Sequence, residues 1–298
     1  MYTFQNEVTG RVARALNLEL KEALSRQAAR STSGDLDAHG RAHDLALRAW
    51  AELWTKPQKP QTNRAALDFA NSALDLDPKN AEALGVVAYA YARAATYGWE
   101  TPRDEAVRKG IAAGEKSVTL DPKNADAVYA LGFLYYSAGD TQKSQEMMRQ
   151  CIAINRNHAP AYFFSGINFI RLGKPREAIS WVERAFVLSP RDPLRSVWHG
   201  ATGRAQVSIG EDAQAVKTAQ KGIAANSSHP HNYAVLASAS AHLDQMENAK
   251  TALEKFSQIL PGITVSRYRK TVVSSDPFAI KTYQRLLDGL SKAGLREE

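Results

Sequence analysis

Leu120-Asp121-Pro122, Ile154-Asn155-Arg156 and Leu188-Ser189-Pro190 end three successive stretches of this chain in a similar way. Their third residues, at positions 122, 156 and 190, lie 34 residues apart. A fixed period of this length predicts a solenoid, in which stacked helix pairs share one continuous core. The period therefore favours a binding role over catalysis.

Small residues recur at fixed positions inside each period, and a glycine follows the first helix. Two neighbouring periods carry them as Gly132, Gly139, Ser144 and Cys151, and as Gly166, Gly173, Ala178 and Ala185. Small side chains let the two helices of a unit approach closely, while Gly139 and Gly173 suit a left-handed helix end. Each unit is therefore predicted to be a tight helix–turn–helix.

The 34-residue pattern resembles the tetratricopeptide repeat. The resemblance implies an all-α, right-handed superhelical solenoid of about six repeats with a C-terminal capping helix. We expect an N-terminal amphipathic helix and linker at residues 1–34, the repeats at 35–263 and the capping region at 264–298. The period is interrupted near residues 97–102 and 191–195, where insertions are predicted between helices.

The sequence predicts one helix at each end of the chain, outside the repeats. The first carries Val8, Val12, Leu16 and Leu20 on one stripe. The second starts near Asp276-Pro277 and ends near Gly294, with its apolar residues closing the last repeat.

Together, FQNEVTGRVARALNLEL at residues 4–20, the repeats and SDPFAIKTYQRLLDGLSKAGL at residues 275–295 resemble the C-terminal part of certain bacterial proteins. These are class III adenylate or guanylate cyclases and winged-helix regulators, in which a TolB-like segment precedes tetratricopeptide repeats. The resemblance implies that Met1 starts inside what is elsewhere a larger protein. The chain contains no cyclase core and no winged helix, so no catalytic or DNA-contacting residue is carried over.

Bulk composition narrows the class of protein. The 298 residues are 44% apolar, carry a net charge of +7 and include no apolar run long enough to cross a membrane. The basic surplus favours an acidic partner or a solvated face, and nucleic acid is the weaker interpretation because no binding motif accompanies it. The single Cys151, at a small-residue position, is expected to be a buried thiol, and we expect the protein in the cytoplasm.

Several motifs imitate functional sites without meeting their requirements. Gly110–Ser117 looks like a phosphate-binding loop, but it has three residues between its glycines where four are needed, and it falls within a predicted helix. His39 and His43 share a helix face and Asp35 could add a carboxylate, yet no other metal ligand is indicated. We therefore expect no enzyme, cofactor or metal.

The repeat resemblance implies that the first helix of each unit lines a concave face. A protein or peptide segment is expected to bind there through apolar contacts with arginine at the rim. The alternative for each aromatic is packing between neighbouring units. The residues assigned to the groove are Tyr89, Arg93, Tyr129, Phe133, Tyr136, Phe163, Ile167, Ile170, Arg171 and Arg204.

The assigned groove lacks the lysine and asparagine pattern by which chaperone-binding repeats hold a C-terminal carboxylate. We therefore expect no such clamp. The solenoid also leaves faces through which copies of the chain could associate.

Overall fold

The computed structural model describes residues 37–56, 58–99, 102–270 and 277–298. Within these ranges the chain forms fourteen helices and no strand, which confirms the predicted all-α repeat fold. They are α1 (Ala38–Thr55), α2 (Pro60–Leu76), α3 (Ala81–Tyr97), α4 (Arg103–Leu120), α5 (Ala125–Ala138), α6 (Thr141–Ile154), α7 (Ala159–Arg171), α8 (Pro175–Leu188), α9 (Arg195–Ser208), α10 (Asp212–Ala225), α11 (Pro230–His242), α12 (Met246–Ile259), α13 (Val265–Arg269) and α14 (Pro277–Ala293).

The chain divides into two compact units, Met1–Ala161 and Tyr162–Glu298. In the first unit α1 packs on α2, α3 on α4 and α5 on α6, and α3 also contacts both α1 and α5. In the second unit α9 packs on α10, α11 on α12, and α14 lies against α9 and α11. The predicted boundaries near residues 34 and 263 and the right-handed superhelix stay predictions, and the N-terminal segment 1–34 lies outside the described residues.

The turn between neighbouring repeats of the first unit is built from the sequence Leu-Asp-Pro-Lys-Asn, which occurs at residues 76–80 and 120–124. In the first copy, Asp77 Oδ1 accepts a hydrogen bond of 3.0 Å from the backbone N–H two residues later. Asn80 Oδ1 accepts one of 2.9 Å from the N–H of Ala83 and so caps α3. One short motif therefore ends a helix and starts the next.

Glycines end the first helices, as the period predicts. Gly139, Gly173 and Gly210 have φ values of 85°, 69° and 80°, in the left-handed region. Asp244 occupies the equivalent place in the last repeat, with φ of 58°. The backbone conformation of the repeat is therefore retained even where its glycine is absent.

The small positions lie where the two helices of a unit touch. Ser144, Ala178, Cys151 and Ala185 are fully buried, and the Cys151 thiol donates to the Ala125 carbonyl at 3.3 Å. This confirms Cys151 as a buried thiol. The helix pairs are thus closed by contacts that leave no room for larger side chains.

Replacing Gly166 with valine should test this close packing. A Cβ atom at Gly166 would lie 2.6 Å from Val182 Cγ2 and 3.0 Å from the Ala178 carbonyl oxygen, and the latter is backbone. We expect G166V to lower the free energy of unfolding by about 1–3 kcal/mol through overpacking. The exposed substitution A224V in α10 serves as the control in urea denaturation. Equal midpoints for the two variants would contradict the packing argument.

The C-terminal helix forms as the sequence predicts. α14 ends at Ala293, and Gly294 follows with φ of 110°. Leu286, Leu287 and Leu290 are at most 1% exposed, because they face the last repeat. Separately, none of the described helices combines the length and the apolar character that a bilayer crossing requires.

Candidate functional site

Five aromatic side chains line up across the first helices of the first unit. Trp50 stacks on Trp54 at 5.8 Å between ring centroids, and Trp54 stacks on Tyr89 at 5.2 Å. Tyr89 lies 5.8 Å from Tyr129, which lies 6.3 Å from Phe133. These five residues are called the aromatic row below. The row joins α1, α3 and α5 through ring contacts between neighbouring repeats.

The sequence predicts three members of the row and misses two. Tyr89, Tyr129 and Phe133 were assigned from their repeat positions. Trp50 and Trp54 were missed because the first unit matches the repeat pattern only loosely. Their spacing of four residues on one helix was the available signal, since it places both rings on the same face.

The ten residues assigned to the groove fall into two classes of exposure. The nearly buried ones are Tyr89, Arg93, Tyr129, Phe133, Phe163, Ile167 and Ile170, and the partly buried ones are Tyr136, Arg171 and Arg204. The burial follows in part from ring packing between neighbouring helices, the alternative considered for each aromatic. A binding role for these residues stays a prediction.

The second unit has its own aromatic contacts near the assigned residues. Phe163 on α7 stacks on Trp198 of α9, with ring centroids 5.6 Å apart. The Arg204 guanidinium lies 5.8 Å from the ring of Tyr283 on α14. Phe163 and Arg204 therefore lie among aromatic neighbours within their own unit.

Arg93 is the unusual member of the groove set. Its side chain is 1% exposed, and Nη1 donates to the carbonyl of Leu53 at 3.3 Å. Its guanidinium also lies 5.5 Å from the Trp99 ring. Burial lowers the pKa of Arg93 from its usual value, while nearby tyrosines, Tyr89 first among them, act in the opposite direction. The set of residues assigned to the groove thus includes a buried guanidinium near aromatic rings.

Cys151, His158 and Asp126 come together in a way that imitates a thiol protease site. His158 Nε2 lies 3.3 Å from Asp126 Oδ1, and Nδ1 accepts a hydrogen bond of 3.2 Å from the N–H of Ala161. Cys151 is fully buried and its thiol is directed to the Ala125 carbonyl. A nucleophile needs access to substrate, which the buried Cys151 lacks, so these contacts instead link α5, α6 and residues 158–161 within the first unit.

The other two motifs that resemble functional sites, the glycine-rich segment and the histidine pair, also lie in ordinary helices. Gly110–Ser117 lies inside α4, where Gly114 touches Leu131 of α5 across a close helix contact. His39 and His43 are exposed on α1, and His39 Nδ1 lies 3.2 Å from a carboxylate oxygen of Asp77. Among the described residues, no group of three or more candidate ligands could hold a metal ion.

Comparison with known protein families identifies one repeat directly. Residues 125–158, which cover α5 and α6, match the family model for the tetratricopeptide repeat. None of the curated proteins compared with the chain matches it significantly in sequence.

Several solved structures share the fold. PilF of Pseudomonas aeruginosa is 13% identical with a TM-score of 0.59, over 79% of this chain and 98% of its own. The Cut9–Hcn1 hetero-tetramer of the APC/C is 13% identical with a TM-score of 0.64, over 90% of this chain and 46% of its own. PilW, a type IV pilus biogenesis factor, is 19% identical with a TM-score of 0.54, over 69% of this chain and 90% of its own. At these identities the likeness concerns the fold alone.

Proposed function

We propose that this chain is a non-enzymatic scaffold of the cytoplasm that binds a segment of another protein along the first helices of its repeats. The aromatic row is the observation that carries this proposal. It lies on α1, α3 and α5, each of which is the first helix of a pair. Large aromatic side chains supply much of the binding energy at protein interfaces.

The helical-repeat fold supports the same function. Stacked helix pairs present an extended face to which each repeat adds one helix, and such faces suit long peptide segments. The similar Cut9–Hcn1 structure is a hetero-tetramer, so one relative in fold takes part in a protein complex. Among the described residues, the candidate catalytic cluster at Cys151 and His158 is engaged in structural contacts, which is consistent with a non-enzymatic role.

A random peptide library displayed on phage tests the proposal with the whole chain as bait. We expect enrichment of peptides with apolar or aromatic residues, because the row offers ring faces. Replacing Tyr136 with alanine should weaken the selected synthetic peptides about tenfold, since Tyr136 shares a helix face with Tyr129 and Phe133. Fluorescence anisotropy of the labelled peptides measures the change.

The matched control is the neighbouring tyrosine on the same helix. The Tyr135 hydroxyl donates to Glu115 Oε1 of α4 at 2.8 Å, so the ring points away from the row. Y135A should therefore leave the peptide affinity within about twofold of the unmodified chain, a shift small beside the hot-spot scale. Failure to enrich any peptide, or equal losses in Y136A and Y135A, would remove this surface from consideration.

A second candidate function rests on the resemblance of both chain ends to cyclase and regulator tails. In that case the repeats regulate an output domain encoded upstream. Of the two chain ends that carry this resemblance, the C-terminal one lies in the described residues. There α14 packs on the last repeat through Leu286 and Leu290. An in-frame cyclase or winged-helix domain upstream in the genome would favour this function, and its absence would count against it.

A further inference from the structure

Arg93 carries hydrogen-bond donors that nothing in the described structure satisfies. Its Nε and Nη2 atoms are buried and have no hydrogen-bond partner, and it forms no ion pair with a described carboxylate. Only Nη1 is engaged, by the carbonyl of Leu53 in the last turn of α1. A buried charge without a partner is strongly unfavourable, so the protein retains Arg93 against a cost in stability.

The two unsatisfied atoms form one edge of the guanidinium. Nε–H and the outward N–H of Nη2 point in the same direction, at the spacing of two carboxylate oxygens. The remaining Nη1 is the atom already held by Leu53. The protein thus fixes the guanidinium through one nitrogen and leaves free the edge that binds a carboxylate with two parallel hydrogen bonds.

Two aromatic rings lie near the Arg93 side chain. Trp99 lies over the guanidinium at 5.5 Å and stacks on Tyr97 at 4.9 Å. Tyr97 is the last residue of α3 and is 45% exposed, and Trp99 follows it across Gly98, which has φ of 66°. This is the point at which the 34-residue period is interrupted. The insertion therefore places a partly exposed aromatic pair beside Arg93.

The site also adjoins the aromatic row. Arg93 follows Tyr89 by one helical turn on α3, so both side chains leave the same face. Tyr89 is itself in ring contact with Trp54 and Tyr129. A segment lying along the row would pass the edge of Arg93.

We propose that Arg93 binds the carboxylate of a glutamate or aspartate side chain in the partner segment, with apolar residues beside it on the aromatic row. The proposal rests on the proposed function and names the chemistry of the segment that the row selects. Because Arg93 is 1% exposed, entry of the carboxylate requires the neighbouring Trp99 ring to move aside. This differs from a clamp made of lysine and asparagine, because one buried guanidinium provides both donors.

Peptide selection on the phage library tests the proposal with three baits: the whole chain, R93M and R93K. Methionine keeps a long apolar side chain, and lysine keeps the charge but loses the forked edge. We expect the unmodified chain to enrich peptides with one acidic residue beside apolar ones. R93M should enrich apolar peptides without the acidic residue, and R93K should show a weaker acidic preference.

Synthetic peptides then give the size of the effect. Replacing the selected glutamate with glutamine should weaken binding to the unmodified chain at least tenfold and binding to R93M less than twofold. Equal losses on both proteins would overturn the proposal. If apolar peptides are enriched with no acidic residue at all, the carboxylate site is overturned while the proposed function stands. If no peptide is enriched, both fail.

One further arm identifies the source of the carboxylate. Amidation of the peptide C-terminus should leave the affinity unchanged, and a loss there would overturn the assignment to a side chain.

The free protein provides a readout independent of peptides. The melting temperature of R93M should equal or exceed that of the unmodified chain, because the substitution removes an unpaired buried charge. A fall of about 10 °C or more would assign Arg93 to holding α1 in place and would overturn the binding role.

Discussion

Replacing Arg285 with alanine is expected to release α14 from the second unit. Arg285 donates to both carboxylate oxygens of Asp212, at 2.6 and 2.7 Å, and to the carbonyl of Val207 at 2.8 Å. Asp212 is only 7% exposed, so its charge would be left buried and unpaired. We expect the free energy of unfolding of the second unit to fall by about 3 kcal/mol. Urea denaturation and hydrogen exchange of the α14 amides measure the change.

The matched control lies on the same helix. Lys292 pairs with Asp244 at 2.7 Å, but the two side chains are 45% and 84% exposed. Because an exposed pair is screened by water, K292A should change stability far less than R285A. Loss of exchange protection confined to α14 in R285A would support the assigned role. Equal effects of the two variants would mean that burial of Asp212 does not decide the outcome.

Acidification from pH 7 to pH 5 is expected to destabilise the second unit strongly. Burial, followed by the charges of His229 and Arg204, lowers the pKa of His231 to about 3. His231 Nδ1 lies 2.8 Å from the Tyr268 hydroxyl, whose pKa burial raises. That hydroxyl can donate to Nδ1 only while the imidazole is neutral. Folding therefore requires the neutral form of His231.

His199 adds a second contribution of the same sign. Burial, followed by the charges of Arg195 and Lys221, lowers the pKa of His199 to about 4. Its ring packs on Phe186 with centroids 4.5 Å apart. A charged imidazole in this position would lose the solvation that the unfolded chain provides.

The direction of the pH dependence follows from proton uptake. Below the unfolded pKa of about 6.5, the unfolded chain binds protons that the folded unit excludes, so stability falls as the pH falls. The loss continues until the pH reaches the folded values near 4 and 3. At pH 5 each histidine should cost about 2 kcal/mol relative to pH 7, or about 4 kcal/mol together.

Urea denaturation at several pH values, followed by tryptophan fluorescence, to which the buried Trp198 of this unit contributes, measures this slope. H231F should be less stable at pH 7, because it removes the hydrogen bond between His231 and Tyr268, but its slope between pH 7 and pH 5 should be about half as steep. An unchanged slope in H231F would contradict the buried, neutral assignment of His231.

Much of the fold could be predicted from the sequence pattern within a single repeat. The period located the helix pairs and predicted the left-handed conformation at Gly139 and Gly173. The Leu-Asp-Pro endings marked the period, and the structure shows that the aspartate and asparagine of the longer Leu-Asp-Pro-Lys-Asn motif act on backbone groups within three residues. Burial of Cys151 followed from its small-residue position. Such features depend on neighbours close in sequence, so one repeat is enough to recognise them.

The candidate site was predicted less completely. The repeat positions located Tyr89, Tyr129 and Phe133 but could not show that Trp50 and Trp54 extend the row. Arg93 was assigned to the groove rim as one arginine among several. The repeat pattern carried no sign that Nη1 is held by Leu53 while Nε and Nη2 are left unsatisfied.

The sequence by itself determined the helix pairs, their turns and their close-packed small residues, since these follow from backbone conformation and side-chain size within a unit. The tertiary structure decided which distant groups meet. Arg285 reaches Asp212 across 73 residues, and His231 reaches Tyr268 across 37. These pairings depend on the stacking and orientation of whole helices, which no short pattern encodes. Charge burial and the candidate carboxylate site are set at that level.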